Sequence, residues 1–248
     1  MKRAIIERLK RYPVVLSLLR RMLRTLFPAP DSSQIQKNIL KNLKPTDAVF
    51  FVQVGSNDGI QGDPLHEIII ANKHWRGIFI EPVGFLFERL KQNYENADRF
   101  IFEKKAIAPN RGVIDFYYVS EKAKAELGDA LPNWYDQLGS FDKKHILKHL
   151  DGILEPYIIS EGINTIPLQD IFDKHKVTNV DLIHIDAEGY DFKVLSTIDF
   201  SRYKPSVILY EHKHLSDVDR KSAESLLKQN GYSCIQYAED TLATQTWT

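Results

Sequence analysis

Cysteine is almost missing from this chain: Cys234 stands alone in 248 residues, so an internal disulfide framework is excluded and a reducing compartment fits. Long apolar runs are missing too. The stretch Val14 to Leu19 contains Ser17 and stops at Arg20 and Arg21, too short for a membrane span or an ordinary signal-peptide core. Net charge is also lacking, since 33 basic residues meet 33 acidic ones. No G-x-G-x-x-G fingerprint and no Walker phosphate loop occurs, although glycines punctuate one turn.

What is present is a chain with 43% apolar and 11% aromatic residues, enough for one domain with its own core. The charge is unevenly placed. Residues 1–27 carry eight Lys and Arg against Glu7 alone, so the remainder is acidic by the same margin. An acidic body argues against a nucleic-acid partner. Residues 1–30 read as a basic amphipathic arm, broken at Pro13 and ending in a linker at Pro28 and Pro30. Such an arm suits either packing as a lid or dimerisation element, which allows a homo-oligomer, or peripheral contact with an anionic membrane. The expected location is cytoplasmic, with membrane association where the arm meets lipid. Residues 31–248 form the domain, starting with a helix over Ile35 to Leu43.

The organising stretch is Val49 to Leu65. Val49 to Val54 is a β-branched and aromatic run typical of a strand buried on both faces, with Thr46 and Asp47 marking its start. Gly55, Gly59 and Gly62 then permit positive φ and close approach of a ligand to the main chain. Asp63 as N-cap and Pro64 at the first helical position predict a helix onward from there. A strand, a glycine turn and a helix N-terminus in this order make a nucleotide-type crevice. About twenty residues on, Gly77 to Pro82 is a second strand with Glu81 at its end, where a doubly wound fold places a carboxylate for ribose hydroxyls.

Helix and strand continue to alternate through Gly84 to Tyr94 and Phe100 to Lys104. Lys105 to Ala108 then lies where a nucleotide base would sit, and Val113 to Val119 reads as a hairpin strand. Residues 120–160 break the alternation. This Lys- and Glu-rich insertion holds Trp134, Tyr135 and Phe141 and the stretch His145 to Leu150, and its position suits a substrate cap. Trp134 and Tyr135 fit either stacking on a sugar or a small core. The alternation resumes with a helix over Pro167 to His175, a strand Val180 to Asp186, a turn through Glu188, and a strand Ser206 to Glu211. Ser216 N-caps the next helix, and Tyr232 to Tyr237 with Leu242 to Trp247 form a terminal hairpin. The expected fold is α/β, a doubly wound and mostly parallel seven-stranded sheet.

Val54 to Gly59, the Ile80-Glu81-Pro82 step and, most specifically, Asp181 to Asp191 with its Asp-x-Glu-Gly-x-Asp core resemble the FkbM-type S-adenosylmethionine-dependent methyltransferases. The similarity spans about Val49 to Glu211. It implies a class I methyltransferase of Rossmann-like fold that methylates a hydroxyl of a small-molecule or glycan substrate, with carbohydrate first. It implies a cofactor site of Gly55, Ser56, Asn57, Asp58, Gly59, Glu81, Pro82, Ala106, Ile107 and Asp186. Asp58 suits either cofactor contact or fixing the turn.

An alcohol is a poor nucleophile at neutral pH, so a base is needed near the methyl group. Asp186 is the first choice, followed by Glu188, Glu211 and His212, with His184 and His214 nearby. His184 lies inside an apolar strand and reads more as a core histidine. His212-Lys213-His214 with Asp186 and Glu211 has ligand-capable chemistry without metal-motif spacing, so a divalent metal is allowed but not favoured. The rival classes are a nucleotide-sugar or NAD oxidoreductase, disfavoured by the missing fingerprint, and a catalytically silent cofactor-binding or membrane-associated module.

Overall fold

The computed structural model describes residues 32–43, 48–94 and 98–246. The arm, the linker prolines, Thr46, Asp47 and Trp247 lie outside them. The first helix of the domain, α1, spans Ser32–Asn42, and β1 spans Phe50–Val54. Four of the five β1 residues are buried, as expected of a strand covered on both faces. It pairs in parallel with β2 (Arg76–Ile80) on one side and with β7 (Leu182–Ile185) on the other. β3 (Phe100–Glu103) adds beyond β2, and β8 (Val207–Glu211) beyond β7. The hairpin β9 (Tyr232–Gln236) and β10 (Asp240–Gln245) closes the sheet antiparallel, giving the order β3-β2-β1-β7-β8-β10-β9.

Strand residues alternate between two cores, as the period of two requires. Phe51, Phe79 and Leu182 pack with α1, α2 (His66–Ala71) and α3 (Gly84–Asn93). Val52, Ile78 and Ile183 pack on the opposite face with α6 (Leu168–Lys174), α7 (Asp191–Leu195) and α8 (Asp217–Gln229). The chain order reverses between β1 and β7. That switch point opens a crevice at the carboxyl ends of both strands.

Two local expectations change. α2 begins at His66, not at Asp63: the Asp63 carboxylate accepts from Leu65 N–H at 2.8 Å and closes a turn, leaving the helix without a side-chain cap. Ala106 and Ile107, just beyond the end of the third strand, have a role not expected of them. They form β4 (Ala106–Ile107) of a second, three-stranded sheet, in which β6 (Ile158–Ile166) lies between β4 and β5 (Gly112–Val119). β6 was not legible in advance because its central residues Ser160 to Gly162 are polar or small and exposed.

Between β5 and β6 the insertion folds into short helices, α4 (Lys122–Leu127) and α5 (Lys143–Leu147), around its own small core of Val119, Ala123, Leu131, Tyr135, Ile146 and Leu154. Tyr135 therefore belongs to that core, whereas Trp134 is 39% exposed. The insertion docks over the crevice through long-range bonds. Gln137 Nε2 donates to the Gln61 carbonyl at 2.6 Å, Ser140 Oγ donates to the Glu188 carbonyl at 3.2 Å, and Arg89 bonds Asp136 at 2.8 Å. Among the described residues no helix is long and apolar enough to cross a membrane.

Candidate active site

The crevice wall starts at the end of β1. Gly55 N–H donates to the Ile80 carbonyl at 3.0 Å with φ +76°, and a Cβ at this position would overlap the Asp186 carbonyl oxygen. Glycine is obligatory here for two reasons, the positive φ and the close approach of the β7 end. The next residue, Ser56, is buried; its hydroxyl donates to the Gln53 carbonyl and accepts from Ile80 N–H, tying β1 to β2. Asn57 follows in the left-handed region at φ +47° and turns its N–H onto Glu81.

Glu81 is buried at the end of β2. One carboxylate oxygen accepts from Asn57 N–H at 2.9 Å and the other from Val83 N–H at 2.8 Å. Burial pushes its pKa up to about 7, against the pull of these two amides. It faces an open cavity between the ends of β1, β2 and β7 and the insertion. Gly55, Asn57, Pro82, Ala106, Ile107 and Asp186 line the same cavity.

Ser56, Asp58 and Gly59 stand behind this wall. Asp58 Oδ1 accepts from Ile60 and Gln61 N–H, which holds the turn. Gly59, at φ +74°, packs against Leu90 of α3 and Tyr94 just after it, and its carbonyl accepts from the Tyr94 hydroxyl at 2.9 Å. Sequence reasoning missed Val83, Phe116, Gln137, Gly139 and Phe141, which also line the cavity beside Lys105. Three of them belong to the insertion, where no motif marked them.

At the other end of the cavity the β7 and β8 ends gather acids. Asp186 N–H donates to the Val54 carbonyl at 2.9 Å, while its Oδ1 is buried with no hydrogen-bond partner among the described residues. Burial raises the Asp186 pKa well above the carboxylate range, and the neighbouring Glu188 and Asp191 carboxyls add to the shift. Asp191 is fully buried and accepts from Ala187 and Gly189 N–H, yet burial still pushes it up to about 8. These bonds hold the β7–α7 turn in which Glu188 sits at φ +47°, strained as residues at functional sites often are.

Glu188 is close to two histidines from different parts of the chain. Its Oε2 is 2.8 Å from His145 Nε2 of the insertion and 3.7 Å from His214 Nε2. Glu211 Oε1 lies 3.6 Å from His214 Nε2, and burial, with Asp186 and Glu188 nearby, raises the Glu211 pKa. His212 turns away: its Nδ1 meets Thr241 Oγ1 at 2.9 Å, under the terminal hairpin. His184 is a buried core residue whose Nδ1 meets Gln53 Nε2 at 3.1 Å, and burial holds its pKa down near 4.

A seven-stranded sheet in this order, with a glycine turn and an acid at the ends of β1 and β2, is that of a class I methyltransferase. The chain matches the Methyltransferase FkbM domain over residues 53–234 and belongs to that family, which makes it a methyltransferase by class. Among solved structures it is similar to a methyltransferase FkbM from Methylobacillus flagellatus KT, at 16% identity and a TM-score of 0.50, covering 82% of this chain. It spans 44% of the length of that structure. A precorrin-6y C5,15-methyltransferase from Geobacter metallireducens GS-15 is similar at 13% identity and TM-score 0.42, over 86% of this chain and 88% of the other. A human methyltransferase 10 domain containing protein is similar at 11% identity and TM-score 0.43, over 95% and 98%. None of the curated proteins matches.

Proposed function

We propose that this chain methylates a hydroxyl oxygen of a carbohydrate or related metabolite with S-adenosylmethionine as donor. The donor supplies an electrophilic methyl group on a positively charged sulfur. The residues present suit it. Gly55 lets the end of β7 close on the β1 turn and lines the cavity, Glu81 offers a buried carboxylate to ribose hydroxyls, and Ala106 and Ile107 offer an apolar face to adenine.

The observation that carries the oxygen-methylation reading is Asp186, a buried carboxyl on the cavity wall with one oxygen unpartnered. A hydroxyl acceptor must lose its proton as the new C–O bond forms, and a positioned carboxylate is worth roughly 10²- to 10⁴-fold in such a step. Burial and the acids around it raise the Asp186 pKa, and positive charge beside it would favour the carboxylate form. Glu188 and Glu211 stand behind it as the groups to which the proton can pass.

The carbohydrate acceptor is supported by Trp134, exposed on the insertion with its ring 5.8 Å from that of His149, which in turn lies 5.7 Å from the ring of His214. An exposed indole is suited to a sugar, which has apolar ring faces and polar edges. The insertion then acts as the cap over the acceptor.

The test is transfer of labelled methyl from S-adenosylmethionine to a panel of sugars, nucleotide sugars, polyols and phenols, with the product located by mass spectrometry. Methylated sugar oxygen in the parent and none with Asp186→Asn is the expected result. Labelling confined to nitrogen or carbon acceptors would overturn oxygen transfer, and no labelling with intact cofactor binding would favour the silent module.

A further inference from the structure

Beside the crevice, ligand-capable side chains from three separate segments converge. His145 lies on α5 and His149 on the turn that follows it, His214 comes just after β8, and Glu188 from the β7–α7 turn. One ring nitrogen from each of His145, His149 and His214 lies within 4.8 Å of the others. His214 also shares such a group with a carboxylate oxygen of Glu188 and one of Glu211. A tetrahedral shell with bonds of about 2.1 Å separates its ligand atoms by roughly 3.4 Å. The 2.8 Å and 3.7 Å from Glu188 Oε2 to His145 and His214 bracket that value.

We propose that His145, His149, His214 and Glu188 form a binding site for one divalent transition-metal ion, with zinc the reference ion. Three imidazoles with one carboxylate select that class over magnesium or calcium, which prefer all-oxygen shells. The neighbourhood supports a cation independently. Glu211 is 9% exposed, its Oε2 has no hydrogen-bond partner among the described residues, and it sits with Asp186 and Glu188 in a cluster of three carboxyls. The local lysine, Lys213, places its Nζ 2.8 Å from Glu239 instead.

The site is also held in shape. Asp191 bonds the turn that carries Glu188, Ser140 Oγ holds the Glu188 carbonyl, and Trp134 meets the ring of His149 edge-on. Its role rests on the proposed function: with all four positions taken by side chains, the ion would fix the insertion to the β7–α7 turn at the acceptor end of the crevice. The insertion, already docked through Gln137 and Ser140, would gain two further ties, because two of its histidines are ligands.

The experiment uses the full chain made without a polyhistidine tag, stripped with chelator and titrated calorimetrically with Zn²⁺, with Co²⁺ absorption reporting the ligand field. The expected result is one ion per chain, with His149→Ala and His214→Ala each weakening binding about tenfold or more. Cys234→Ser, on the exposed cysteine, should leave binding unchanged. No stoichiometric binding by the parent, or undiminished binding by His149→Ala, overturns the site. His149 is half-buried, so its variant carries the test even if His214→Ala does not fold. Titration of the same preparations with S-adenosylhomocysteine separates the two ideas. Metal binding without it sinks the cofactor reading alone, and the reverse sinks the metal site alone.

Discussion

The two ends of the crevice are built on opposite principles. At the β1/β2 end the groups on the crevice wall are tied to the nearby main chain: Glu81 accepts two amides, Ser56 bridges two strands, and Asp58 holds its own turn, while Gln53 Oε1 and Asp63 Oδ2, behind the wall, have no hydrogen-bond partner among the described residues. At the β7/β8 end, Asp186 and Glu211 each leave an oxygen without a partner among the described residues, and Glu188 meets histidines that arrive from an insertion and from beyond the next strand. The first end is a preformed cradle for a ligand that does not vary. The second keeps buried carboxyl oxygens without partners among the described residues, which a reacting group or a cation would supply.

The difference can be broken most severely at Gly55. Gly55→Ala forces a Cβ into the Asp186 carbonyl at positive φ, so a loss of about 3 kcal/mol or more and no detectable cofactor binding are expected, read by thermal unfolding and by titration. Next is Asp186→Asn. Turnover should fall by roughly 10²- to 10⁴-fold while cofactor affinity and fold are kept, which assigns the loss to the acceptor end. An equal fall in cofactor affinity would merge the two ends into one.

A pH series sharpens the contrast. Glu81 has its pKa raised from 4.5 to about 7 by burial, so the folded chain binds more protons than the unfolded one between those values. Its contribution is therefore lost as pH rises through that window, by about 3 kcal/mol at most. Glu81→Gln removes this slope, and its melting temperature relative to the parent should climb from pH 5 to pH 8. A pH-independent difference would mean that Glu81 is not buried as described. The smallest effect is expected for Trp134→Ala, a loss of ~0.5–1.5 kcal/mol in acceptor binding with cofactor affinity unchanged, seen as a rise of several-fold in the acceptor KM.

How much of this could be read from the residues follows the same division. The cradle is local: Val49 to Gly59 and the Glu81 step form one strand-turn-helix-strand unit, so apolar runs, glycines and an acid at fixed spacing announce it. The Asp-x-Glu-Gly-x-Asp turn was legible too, because its first and last acids serve β7 and α7 directly. The acceptor end is assembled from residues up to about 70 apart in sequence. Nothing in the spacing of His145, Glu188 and His214 signals their contact, which depends on the insertion docking through Gln137 and Ser140. β6 escaped notice for a related reason, since an exposed strand of a small sheet lacks the apolar alternation of the main one. His212 drew attention by its neighbours in sequence, but β10 supplies it with Thr241 and takes it out of the cluster.

The central claim is that the β1/β2 end holds the donor, and isothermal titration with S-adenosylhomocysteine tests it most directly, with NAD and a nucleotide sugar as controls and Glu81→Ala beside the parent. The expected result is one micromolar site for S-adenosylhomocysteine alone, weakened about 10- to 100-fold in Glu81→Ala, as fits the loss of charge-assisted hydrogen bonds worth about 1.5–3 kcal/mol. No binding, a preference for NAD or the nucleotide sugar, or an unchanged affinity in Glu81→Ala would contradict it.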